Sequence, residues 1–182
     1  MRLFTGLDLP AEVVNRLEQL LTRLRPAARI QWSPPANLHI TTKFIGEWPE
    51  ERLAELQRGL AGLAARAIIP VHIRNVGFFP NPHAPRNFWC GIEAPGLAEL
   101  AADTDRATGL LAIASEKRAY SPHLTLARIK DRVEMQPLRE AIAAQPSLDF
   151  GRFEARSFFL YRSQLKPGGS VYTKLAEFPF SQ

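Results

Sequence analysis

His39-Ile40-Thr41 and His123-Leu124-Thr125 each put an imidazole two positions before a hydroxyl, and together they use half of the four histidines in the chain. On an extended strand, side chains alternate between faces, so residues i and i+2 project together about 6 to 7 Å apart. In "NLHITTKFIG" that alternation sets His39, Thr41 and Lys43 on one face and Leu38, Ile40, Thr42 and Phe44 on the other. In "SPHLTLARIK" it sets His123 and Thr125 opposite Leu124 and Leu126. Each copy therefore reads as a strand with an apolar, core-directed face and a polar face carrying chemistry.

Two imidazoles titrating near neutral pH suit general acid/base catalysis on a phosphate. One, neutral, takes a proton from the nucleophile, and the other, charged, gives a proton to the leaving oxygen. Thr41 and Thr125, with Lys43 beside the first pair, are placed to donate to the non-bridging oxygens. The scheme needs no metal and no cofactor. A single His-x-Thr strand is most simply a half-buried histidine beside a β-branched residue that favours strands anyway. The repetition gives the catalytic reading its weight.

The elements that hold these strands follow from periodicity. "RLFTGLDL" reads as a buried strand. Pro10 then opens a helix whose Val13, Leu17, Leu20, Leu21 and Leu24 form one stripe, ended by Pro26. A second helix starts at Pro49-Glu50-Glu51 and carries Leu53, Leu56, Leu60 and Leu63. "IPVHIRNVGFF" and "NFWCGIEA" read as strands joined by "PNPHAPR". A helix over about 97–111, the second motif strand and a short helix over about 135–144 follow. The chain closes with "RFEARSFFLYRSQL" and "VYTKLAEF", two strands joined by "KPGGS". Hairpin-like pairs between helices argue against a purely parallel sheet. The expected fold is α+β and bilobal, a single domain whose two pseudo-symmetric lobes each hold a mostly antiparallel sheet, flanking helices and one motif, around a central groove.

At 182 residues the chain can bury a core without disulfides. Its apolar runs fall short of the ~20 residues that span a bilayer. Asp8 interrupts the first apolar run and no small-residue cleavage site follows, so no leader is expected. With the single Cys90, this points to a reducing, cytoplasmic setting and, as the simplest state, a monomer. A net charge of +5 mildly favours anionic partners, without the Lys/Arg block that would mark a nucleic-acid arm.

The sequence also resembles a known family, the 2H phosphoesterases, named for two His-x-Thr-x motifs, and within it the RNA 2',3'-cyclic phosphodiesterases, also described as 2'-5' RNA ligases. The resemblance rests on "RLFTGLDLP", "WSPPANLHITTKFIGE", "RNFWCGIE", "SPHLTLARI" and "SQLKPGGSVYTKLAEFPF", and so runs nearly end to end. It implies a bilobal fold with both motifs on one groove, and metal-independent opening of an RNA 2',3'-cyclic phosphate to a 2'-phosphate. It implies His39 as proton donor to the 3' oxygen, His123 as proton acceptor from water, and Thr41 and Thr125 as phosphate holders. Thr42 departs from the apolar residue more usual there, a matter of packing. The implied partner is an RNA end. Rival readings keep the site but make it a 2'-5' RNA ligase, move it to another small cyclic nucleotide, or make the chain a non-catalytic RNA-binding module.

Arg128 is a tempting phosphate ligand, yet strict alternation points it away from His123, so it reaches the groove only if the strand twists or ends. His72 and His83 lack the paired threonine and read as packing or surface residues. Zinc is disfavoured, with no Cys pair and no His-Glu-x-x-His spacing, and Cys90 in an apolar strand reads as core. "KPGGS" lacks the order of a phosphate-binding P-loop and reads as a mobile hairpin. Base stacking needs an exposed aromatic, for which Trp32, Phe79, Tyr120 and Tyr172 are candidates.

Overall fold

The structure, a computed structural model, describes residues 1–181. The first apolar run forms β1 (Arg2–Leu7), buried along five of its six residues. The Pro10 carbonyl accepts from Val13 and Val14 and starts α1 (Ala11–Leu24), which buries the predicted stripe of Val13, Leu17, Leu20, Leu21 and Leu24. There follow β2 (Gln31–Trp32), β3 (Ile40–Glu47), α2 (Leu53–Ala61), β4 (Ile69–Phe79), β5 (Asn87–Glu93) and α3 (Leu97–Gly109). The chain ends with β6 (His123–Arg128), α4 (Gln136–Ala143), β7 (Asp149–Ala155), β8 (Ser157–Lys166) and β9 (Gly169–Pro179).

Two antiparallel sheets result, one ordered β3-β1-β8-β9 and the other β2-β6-β5-β4-β7. Helices α2 and α3 lie against the first, α3 on β3 and α2 on β9, while α1 packs on β7 of the second and on α4. The fold is α+β, as the hairpins implied, and each sheet holds one motif strand. A continuous apolar core runs from Leu3 and Leu7 through the α1 leucines to Phe88, Leu124 and Phe158. None of the described helices is long and apolar enough to cross a membrane.

"RFEARSFFLYRSQL" is not one strand. It breaks at Arg156 into β7, which pairs with β4 in the five-stranded sheet, and β8, which lies between β1 and β9 in the other. Hydrophobic pattern alone does not show such a crossing, because both halves alternate as strands do. β2 crosses likewise. Gln31 and Trp32 pair with Arg128 and Ala127 beside the second motif, and the chain then enters β3 in the opposite sheet.

Both motif strands carry a bulge just after the threonine. Against β1, Thr41 faces Gly6 and Lys43 faces Thr5, leaving Thr42 as an extra residue. Against β5, Thr125 faces Trp89 and Ala127 faces Phe88, leaving Leu126 extra. An extra residue shifts the alternation by one, so the side chains that follow it change face until a further bulge, such as that at Ile45 in β3, shifts the phase again. Thr42, on the core side as expected, shares a buried 2.7 Å hydrogen bond with Thr5.

Candidate active site

Each catalytic candidate is held the same way. His39 Nδ1 lies 2.6 Å from the Asn37 carbonyl and His123 Nδ1 lies 2.8 Å from the Ser121 carbonyl, in both cases the residue two positions earlier. A carbonyl oxygen only accepts, so this partner assigns the ring hydrogen to Nδ1 and leaves Nε2 to take or give the working proton. In the first copy Nε2 is 2.9 Å from Thr41 Oγ1, joining the motif's two groups directly.

The surroundings of the two rings differ. His39 is half-buried, 4.7 Å from the Phe4 ring and edge-on to Tyr172 at 5.0 Å. Phe4 in turn stacks on Tyr161 at 4.9 Å. Burial holds His39 below the ordinary imidazole range. The Arg128 charge adds to that, against the opposing pull of the Asn37 carbonyl and Asp8. His123 is exposed.

Several contacts bring the motifs together. β3 and β6 lie against one another across the junction of the sheets. Tyr120, just before the second motif, donates its hydroxyl to the Thr41 carbonyl at 2.8 Å. Ser33 Oγ donates to the Thr125 carbonyl at 3.0 Å, and its N–H donates to Leu126 at 2.8 Å. The segment before His39 is therefore anchored on the strand of His123. Asn37, which supports the His39 ring, also donates through Nδ2 to the Ser170 carbonyl at 2.7 Å, tying in the β8–β9 hairpin.

The bulges correct three face assignments. Lys43 does not share the face of His39; it is 2% exposed and gives hydrogen bonds of 2.7 Å to Asp105 and to the Ala114 carbonyl, on the side of α3. Arg128 shifts the other way, out of the core-facing phase and onto the face of His123 and Thr125, where it is exposed. Phe44, expected in the core, is 58% exposed on the His39 side. The fifth residue after each motif histidine is thus brought to the motif face and exposed there, Phe44 in one copy and Arg128 in the other.

Of the aromatic candidates, Trp32 is spent on packing, its Nε1 donating to the Ala28 carbonyl at 3.1 Å. The Tyr120 hydroxyl is committed to Thr41, and burial pushes its pKa up. Tyr172 lies beside the His39 ring. Phe79 is 48% exposed. Sequence reasoning missed Phe44, because the bulge hid it, and Trp89, which faces Thr125 across β5 and β6. His72 is buried with Nε2 2.9 Å from Asp149 Oδ2, a packing role, and His83 sits in the exposed β4–β5 loop. Cys90 is buried, which pushes its thiol up to about 12 and leaves it inert as a nucleophile.

The profile of the LigT like phosphoesterase family matches residues 7–89 and 92–172, the first stretch holding His39 and the second His123. The chain belongs to this family. It is 33% identical over 177 residues to the RNA 2',3'-cyclic phosphodiesterase of Methanocaldococcus jannaschii, covering 97% of this chain and 99% of that one. It is 36% identical over 187 residues to the protein of the same description from Thermus thermophilus, covering 98% and 89%. A crystal structure of a Thermus thermophilus protein superposes with a TM-score of 0.82 at 34% identity, covering 99% of this chain and 98% of that one. The family match and these relatives span both motif strands and both sheets.

Proposed function

We propose that this protein opens RNA 2',3'-cyclic phosphate ends to 2'-phosphates by two-histidine acid/base catalysis without a metal. The observation that carries the reading is the repeated lock: two imidazoles, one beside each sheet, each with Nδ1 on a backbone carbonyl, which leaves Nε2, in the first copy hydrogen-bonded to Thr41, as the nitrogen for proton transfer. The relatives named RNA 2',3'-cyclic phosphodiesterase support the substrate class.

In this scheme the cyclic phosphate sits between Thr41 and Thr125, whose hydroxyls donate to its non-bridging oxygens, with Arg128 offsetting the charge. Water attacks phosphorus opposite the 3' oxygen. His123 Nε2 takes the water proton, and His39 Nε2 gives its proton to the 3' oxygen as the P–O3' bond breaks. The 2' ester remains. Burial and the Arg128 charge keep His39 hard to protonate in the free protein. An anionic phosphate beside Arg128 offsets that charge, which favours the protonated form of His39 as substrate binds. Phe44, exposed on the same wall, offers its ring face to the terminal base. One chain supplies both motifs, which suits a monomer, and the single free thiol suits the cytoplasm.

The test is turnover of a nucleoside 2',3'-cyclic phosphate in EDTA. His39→Ala and His123→Ala should each lower kcat by at least ~10². Full activity in either variant, or an absolute need for added metal, removes the mechanism.

A further inference from the structure

We propose, resting on the reading above, that the wall of the five-stranded sheet carries a second nucleobase subsite, built from Trp89 and Phe79 beside Arg128, for the nucleotide upstream of the RNA end. Trp89 lies between Thr125 on β6 and Gly77 on β4, so it stands on the same face as the motif threonine. A Cβ at Gly77 would fall 2.3, 2.5 and 2.8 Å from three atoms of the indole, and one at Gly91 would lie 3.6 Å from a fourth. The ring therefore lies across the bare backbone of Gly77 and touches the neighbouring Gly91. A core indole is covered on both faces. This one is half-buried, with glycine backbone beneath it and part of its surface left exposed.

Phe79 stands two residues beyond Gly77 on the same face of β4 and is 48% exposed. Asn87 faces Phe79 on one side and Arg128 on the other, so a row of Phe79, Asn87 and Arg128 crosses three strands next to the row of Gly77, Trp89 and Thr125. The second row ends at the reactive phosphate, and the first brings a guanidinium and an open ring beside it. Aromatic faces spaced along a strand direction with a cation at the flank match a sugar-phosphate chain with its bases turned to the protein. The opposite wall already offers Phe44 for the terminal base, so Trp89 and Phe79 are left for the residue 5' of it. The favoured substrate is then an oligonucleotide end rather than a mononucleotide.

The experiment compares kcat/KM for uridine 2',3'-cyclic phosphate with that for a trinucleotide ending in the same group. The unmodified protein should prefer the trinucleotide by about tenfold or more, and Trp89→Ala and Phe79→Ala should each cut that ratio by about five- to tenfold, chiefly through KM, as expected for loss of one stacked base. Trp89→Phe should keep most of it. No preference in the unmodified protein, or a ratio unmoved by both alanine variants, overturns the subsite. If Trp89→Ala misfolds, Phe79→Ala alone decides, because its side chain stands at the surface. If neither compound turns over, the phosphodiesterase reading fails, and the subsite is judged by binding of a trinucleotide ending in a 2'-phosphate. Tryptophan fluorescence quenched in the unmodified protein but not in Trp89→Phe supports it, and equal quenching, or none, overturns it.

Discussion

The Tyr120 hydroxyl donates to the Thr41 carbonyl at 2.8 Å, so the chain entering one motif is tied to the backbone of the other. The tie is half-buried and spans the two sheets, where small shifts separate the reacting groups. Tyr120→Phe leaves the ring in place and removes only the hydrogen bond. It should cost about 1 kcal/mol in urea unfolding and lower kcat about tenfold through misplacement of the two histidines. Unchanged kcat in a stably folded variant would show that the motifs keep their spacing without it.

The pH profile tests the coupling between Arg128 and His39. The Arg128 charge disfavours the protonated imidazole, so Arg128→Ala should raise the His39 pKa. In kcat/KM, which reports the free protein, the limb belonging to His39 should move to higher pH. If His39 is the proton donor, activity is lost as pH rises through its pKa, so the alkaline limb moves. If it is the acceptor, the acid limb moves instead. A profile that keeps both limbs in place disproves the coupling.

Lys43 should matter for folding and little for substrate. Its ammonium is buried against Asp105 and the Ala114 carbonyl. Lys43→Met removes one partner and leaves a carboxylate that is itself partly solvated, so a loss of about 2–4 kcal/mol is expected in urea unfolding. kcat/KM should stay within about threefold, and a large rise in KM would return Lys43 to the substrate. The hydrogen bond from Lys43 holds the Asp105 carboxyl below the usual carboxylate range. That contribution is full above the unfolded value near ~3.9 and is lost as pH falls through the lower, folded one. Acid unfolding should therefore show the stability gap between the two proteins closing on the acid side.

Local chemistry was legible in the sequence because it is written in short-range spacing. The paired His-x-Thr frames, the α1 stripe from Val13 to Leu24 and the hairpin from β8 to β9 need only periods of two or 3.6 and a glycine-rich turn. His39, Thr41, His123 and Thr125 stay in phase because each pair lies ahead of its bulge. Beyond Thr42 and Leu126 the same counting fails. A bulge is set by how a strand registers against β1 or β5, partners distant in sequence, so only the assembled sheets decide that Lys43 turns inward while Phe44 and Arg128 turn to the motif face. The break at Arg156 and the crossing of β2 are likewise tertiary decisions. The sequence by itself determined which groups are the candidates for the chemistry. The tertiary structure decided which neighbours surround them, because strand pairing fixes the face a side chain meets.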